Sequence, residues 1–362
     1  MTNLQGRRYD IDWLRVIAIG LLLIYHIAIV FQPWGAIIRF MQNRETLESI
    51  WIPMSMLNVW RIPLLFFVSG MGVCFAMKKR TLKRLLMERT KRILIPFVFG
   101  IFCIVPIHIF MWQKFYSQPI NYSADPSHLW FLGNIFIYVV IFSPVFYYLK
   151  KHTNGTINTF LGWLYKHPIG LMAVIIPFVL EAVLVRPEPF ELYAMTWHGF
   201  YLGGLAFFFG FSFIQNGEAF WMTVLKWKWI YATSGMLLYL VRLIYFELQA
   251  PAILVSVESM MWIYALLGLG FQYLNKPSKL LAYLSQGAYP VYIIHMAFIY
   301  AATYIILPLD MNAGLKLVLV VLFTFFGSIG TYDLIIRRIV FLRPLFGLKP
   351  NQELKSVITT NL

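Results

Sequence analysis

Charge is scarce in this chain: Asp, Glu, Lys and Arg together make up 12% of its 362 residues. An ordinary soluble domain carries about twice that share, so a soluble globular protein is excluded. Cysteine is scarcer still. Cys74 and Cys103 are the only two, both inside apolar runs, so neither a disulfide framework nor a thiolate metal site is expected. Repeats, low-complexity tracts and Ser/Gly-rich linkers are also missing, so nothing divides the chain into halves. What is abundant is apolar: 60% of the residues, in successive runs of about 20, the length a helix needs to cross a bilayer. The expectation is an all-α, polytopic helical bundle in the lipid bilayer. It has one transmembrane domain over 1–345 and a polar tail over 346–362.

Ten spans are predicted, near 12–33, 53–77, 93–113, 129–149, 168–185, 198–214, 229–247, 251–273, 281–306 and 315–336. With both termini cytoplasmic, 22 of the 30 Lys and Arg residues fall in cytoplasmic segments and five on the external side, counting Lys316 at the outer end of the last span. The other three, Arg15, Arg61 and Arg242, lie within spans. This is the positive-inside pattern. The net charge of +15 therefore reads as a topology signal, and no nucleic-acid partner is expected. The densest basic run, KKRTLKRLLMERTKR at 78–92, reads as a cytoplasmic loop resting on anionic headgroups or attracting an anionic cytosolic substrate. FWMTVLKWKW at 220–229 reads as an interfacial stretch. The first apolar segment is long, is interrupted by His26 and lacks a small-x-small cleavage pattern, so it is expected to remain as a helix rather than act as a signal peptide.

An ionisable side chain inside a span costs about 2.5–3.5 kcal/mol on insertion scales, so each needs a partner or a role. In YDIDWLRVIAIGLLLIYHIAIVF, Arg15 and His26 are eleven residues apart. At about 100° per residue this is only ~20° from three full turns, so they share a face, roughly 16 Å apart along the axis. One stripe thus carries a fixed cation near the cytosol and a titratable base deeper in. The plainer account is that Arg15 snorkels beside Asp12 and His26 hydrogen-bonds a neighbouring helix. In SQGAYPVYIIH, 285–295, His295 lies at a depth close to that of His26, so the two could form a base with its orienting partner or a proton relay. They could equally be metal ligands, but no third histidine or carboxylate is clearly placed with them, and no metal is expected. Toward the outer face Arg61, Glu181, Arg242 and Glu258 lie at one level, as mutually neutralising pairs or as an acceptor pocket. HLWFL, with His128 and Trp130, sits near them. His108 looks alone in an apolar span, and Asp333 lies at the level of Arg15 as a candidate counter-ion.

These residues, in this order, resemble acyltransferase family 3, membrane proteins that O-acylate glycans and other acceptors. The resemblance runs from about residue 9 to 340. Its most specific element is IDWLRVIAIGLLLIYH, similar to the family's Asp-x-x-Arg followed by ten residues and a histidine. RIPLLFFVSG, ERTKRILIP, HLWFL and LSQGAYPVYIIH complete the set, the last two looking most like the glucan succinyltransferase branch. The resemblance implies an acyl-CoA-dependent O-acyltransferase, of groups other than aminoacyl, in a bacterial inner membrane. It would move acetyl or succinyl from cytosolic acyl-CoA, used as substrate with no permanently bound cofactor, to a hydroxyl of a glycan or glycolipid outside. Arg15 and His26 take the family's functional positions. With them go His295 as catalytic partner, Arg89 and Arg92 for acyl-CoA, and Arg61, Glu181, Trp130 and His128 for the acceptor. His26 would serve as general base or as a transient acyl carrier. The alternative class is a proton-coupled transporter or glycan flippase, although no paired internal symmetry of the carrier kind is visible.

Overall fold

The computed structural model describes residues 7–349; the part of the expected tail at 350–362 lies outside the described residues. Among the described residues every regular element is helical: α1 Tyr9–Val30, α2 Trp51–Lys78, α3 Leu82–Arg89, α4 Ile95–Phe99, α5 Val105–Phe115, α6 Trp130–Lys151, α7 Thr156–Tyr165, α8 Pro168–Val185, α9 Trp197–Gln215, α10 Gly217–Tyr245, α11 Ala252–Tyr273, α12 Lys279–Ile306, α13 Ala313–Thr331 and α14 Leu342–Leu345. The protein is an all-α polytopic membrane bundle. Nine helices among the described residues are long and apolar enough to cross a membrane. The tenth expected span falls in α10, which is 29 residues long but dilutes its apolar run with Lys226, Lys228 and Arg242.

Two expected connections are helical instead. The basic run at 78–92 enters α3, and π turns at Thr90–Leu94 and Gly100–Ile104 join α3, α4 and α5 into one helix, Leu82–Phe115. Thr81 caps its start, its hydroxyl accepting from the Arg84 amide. The aromatic-lysine stretch at 220–229 is likewise the first half of α10, not a separate surface piece.

Packing is set by backbone approach as much as by side-chain bulk, as expected where lipid supplies no hydrophobic drive between helices. α2 and α9 press together at paired glycines. A Cβ on Gly70 would stand 2.0 Å from the Phe207 carbonyl oxygen, and one on Gly210 2.1 Å from that of Phe67. That closeness lets a phenylalanine ladder fill the middle, with Phe146 stacked on Phe211 and Phe213 on Phe220, each at 3.8 Å between centroids. The start of α1 is pinned by three contacts. Arg8 is buried, pairs with Asp10 and lies 3.7 Å over the Trp221 ring, while the Tyr9 amide donates to Asn275 Oδ1 at 3.0 Å. α1 then packs against α12 and α2, which places its Arg15–His26 stripe between them.

Candidate active site

Two cavities open along that stripe. The first, about 490 Å³, lies at the end of the bundle where α1 begins. Arg7, Arg15, Arg89, Arg92, Ser285 and Tyr289 line it. The second, about 890 Å³, lies at the other end. His26, Arg61, His108, His128, Trp130 and Tyr193 line it, and loop residues 37–40, 121–125 and 191–195 wall its mouth. Leu65, Phe131 and Tyr292 line both. A leucine and two aromatic rings are therefore the partition between a cationic chamber and a histidine-lined one.

In the first cavity the three arginines expected together are together. Arg15 pairs with Asp12 at 3.5 Å, Arg92 with Glu88 at 3.5 Å, and the Arg89 Nη2 donates to the Gly72 carbonyl at 3.3 Å. The pairing of Arg15 with Asp333 does not occur. Asp333 takes Arg337, one turn further along its own helix, at 2.8 Å, and Asp12 is one turn from Arg15. Local partners three and four residues away win over a partner on another helix. The first residues of the expected tail fold back here: the Arg92 Nε donates to the Gly347 carbonyl at 3.4 Å.

The second cavity is built around His26 and His295. The His26 Nδ1 lies 2.9 Å from the His295 Nε2, with the rings stacked at 5.2 Å. The hydrogen-bond chain assigns the protons. The His295 Nδ1 is 2.6 Å from the Tyr292 carbonyl, which only accepts, so that nitrogen carries the hydrogen. With both rings neutral, the His295 Nε2 must then accept from the His26 Nδ1–H. The His26 Nε2 is left as a free lone pair on a ring that faces the cavity. The structure thus brings the two histidines together and orders them, with His295 behind and His26 in front.

Two further histidines complete the wall. His128 was expected at the outer face beside Trp130; it is instead buried against the pair, its ring 5.0 Å edge-on from that of His295. Its Nε2–H donates to the Ile293 carbonyl at 3.0 Å. Its neighbour Tyr292, one of the partition residues, donates its hydroxyl to the His128 carbonyl. His108 is not alone. It stands 5.6 Å from His128, on the cavity wall, and its Nε2 is 3.3 Å from the Ser127 hydroxyl. Despite this row of rings, no group of three or more His, Cys, Asp or Glu among the described residues is arranged to hold a metal ion.

The charged group near the outer level separates into three. Arg242 is fully buried and grips Glu258 through two nitrogens at 2.7 and 3.0 Å, with Glu191 at 3.3 Å and the Ser55 carbonyl at 3.0 Å. Burial holds the Glu191 carboxyl above the usual carboxylate range, with Arg242 opposing part of that rise. Glu181 does not join the cavity. It is buried against His198, whose Nδ1 lies 2.9 Å away, so its assignment to the acceptor is withdrawn. α8 turns the face that carries Glu181 toward α9, where His198 lies, rather than toward α1. Arg61 and Trp130 do line the cavity.

The all-α membrane bundle thus holds a cationic chamber and a histidine-lined chamber that share a wall of Leu65, Phe131 and Tyr292. A family model described as an acyltransferase domain, acyltransferase family 3, matches residues 8–333, and the chain belongs to that family. It is a membrane acyltransferase. No curated protein and no solved structure matches it.

Proposed function

We propose that the protein is an acyl-CoA-dependent O-acyltransferase of a bacterial inner membrane. In this reading it takes an acyl group from the cytosolic side and delivers it to a hydroxyl of a glycan or glycolipid on the outer side. The observation that carries the reading is the partition. A chamber of arginines suited to a phosphorylated nucleotide and a chamber holding a free imidazole lone pair share only Leu65, Phe131 and Tyr292 as their common wall. Acyl-CoA is shaped for that arrangement, with anionic phosphates at one end of a long arm and a thioester at the other. Arg15, Arg89 and Arg92 would hold the phosphates, and the arm would pass the partition to bring the thioester beside His26.

The acceptor enters from the opposite mouth. Its hydroxyl proton goes to the His26 Nε2, its oxygen forms the new ester bond to the acyl carbon, and the C–S bond breaks. The proton then passes to the departing thiolate, leaving CoA thiol and the O-acylated acceptor. His295 accepts the His26 Nδ1–H throughout and steadies the imidazolium formed midway. Trapping an acyl group on His26 in the absence of acceptor would replace this direct route by a covalent one.

The test is the purified protein in proteoliposomes, given labelled acyl-CoA on one side and a glycan acceptor on the other. Label in the acceptor and free CoA thiol are the expected products, both lost in His26→Ala. Passage of solute without any thiol release would instead favour a carrier.

A further inference from the structure

Tyr289 lines the cationic chamber with a hydroxyl that nothing answers. The oxygen is buried and has no hydrogen-bond partner among the described residues. Tyr292, one turn further along α12, differs, because its hydroxyl donates to the His128 carbonyl. A buried hydroxyl without an acceptor is costly, and the cost is removed when a ligand brings an acceptor oxygen. The Tyr289 ring is also held in place. After α14 the chain turns at Gly347, whose φ is +73°, and passes close over the ring. A Cβ at Gly347 would stand 2.7 Å from Tyr289 Cε1 and 2.8 Å from the Arg92 carbonyl oxygen. This strap is itself fastened: the Arg92 Nε donates to the Gly347 carbonyl, and the Leu348 amide donates to the Arg343 carbonyl at 2.8 Å. Phe346 beside it is buried edge-on against Phe99.

Height along the helices decides which part of an acyl-CoA would meet that hydroxyl. Tyr289 precedes His295 by six residues, about 9 Å of helix axis, and its ring leans further toward the helix start. Arg15 stands lower, roughly 16 Å from His26 along α1. His26 and His295 are 2.9 Å apart, so both heights are measured from one level. In an extended acyl-CoA the second amide carbonyl of the arm stands about 9 Å from the sulfur and the first phosphorus about 15 Å, at roughly 1.2 Å per bond. With the thioester at His26, the phosphates would fall to the arginines and that amide to Tyr289. An amide lying next to a partition of leucine and aromatic rings needs a polar partner, and a phenol hydroxyl can donate to its carbonyl.

We propose that Tyr289 is an acyl-CoA-binding residue whose hydroxyl donates to the second amide carbonyl of the pantetheine arm, the one nearer the phosphates. This rests on the acyl-CoA reading above and adds the contact that sets how far the thioester reaches past the partition.

The experiment gives the purified full chain, with a glycan acceptor, thioesters of three thiols, each as an acetyl and as a succinyl set. CoA is the first. Pantetheine keeps both amides but no phosphate, and N-acetylcysteamine ends at the first amide. Tyr289→Phe should lower kcat/KM about tenfold with CoA and pantetheine thioesters and leave the N-acetylcysteamine thioester unchanged. An equal loss with all three overturns the proposal and makes Tyr289 a packing residue. A loss confined to the CoA thioester also overturns it and moves the hydrogen bond to a phosphate. If the variant fails to fold, or the shortest thioester turns over too slowly to measure, the wild type alone decides. Pantetheine whose second amide is replaced by a hydrocarbon link should inhibit acyl-CoA turnover about tenfold more weakly than pantetheine itself, and equal inhibition overturns the proposal. Failure of the acyl-transfer reading looks different: the wild type releases no CoA thiol from either acyl-CoA, and the proposal falls with it.

Discussion

The two chambers differ in the kind of charge they hold. The one at the start of α1 is built of arginines, permanently cationic and partly solvated: Arg15 and Arg92 are 35% and 46% exposed at the side chain. The other is built of imidazoles packed ring to ring, with His295 fully buried. Fixed cations attract and hold an anion but cannot take up a proton; imidazole can do so, and its two nitrogens can be assigned separate tasks. Under the proposed function the contrast is a division of labour along a single helix, binding at one end and proton transfer at the other. It can be broken or sharpened by asking which kinetic parameter each residue moves.

The largest effect belongs to His26. His26→Ala should lower kcat by about 10²–10⁴-fold while the acyl-CoA dissociation constant stays within a few-fold, read by equilibrium binding. A comparable loss of binding would merge the two chambers into one. Next comes His295. His295→Phe should cost about 10–100-fold in kcat by freeing the His26 tautomer, and His295→Gln, whose amide oxygen can accept the same hydrogen, should recover much of it. A purely packing role would not distinguish the two substitutions. In the cationic chamber Arg89→Gln should raise the KM for acyl-CoA about tenfold with kcat little changed. Added salt should raise the wild-type KM in the same direction, since the phosphates and the solvated arginines are screened. The smallest effect on transfer is expected at the buried Arg242 pair. Glu258→Gln should act on stability instead, lowering the unfolding temperature, because the fully buried Arg242 would keep Glu191 as its one carboxylate partner.

Much of this was legible in the sequence because it is written along single helices. Arg15 and His26 share a face by helical arithmetic alone, and matched depth was enough to pair His26 with His295. Depth does not report the direction a helix turns, however. Glu181 and Arg61 were placed at one level, yet α8 aims Glu181 at His198 while α2 aims Arg61 into the cavity. His108 and His128 were missed as partners of the pair because they come from different segments that meet only after α5, α6 and α12 pack. A weak signal was present: His108 and His128 lie at the two ends of the short connection between α5 and α6, so their helices are neighbours in the chain. Asp333 failed for the opposite reason, since a partner one turn away on its own helix, Arg337, was available.

The π turns in Leu82–Phe115 bear on the phase of that helix. Arg92 and His108 are sixteen residues apart, and in an uninterrupted α-helix they would point about 160° away from each other. Each wide turn absorbs roughly one extra residue, about 100° of rotation, so the two together leave the directions about 40° apart. One helix can therefore give an arginine to the first chamber and a histidine to the second without twisting its axis. In effect the two wide turns are a mechanical offset, like a gear slipped by two teeth, that lets a single rod serve both rooms.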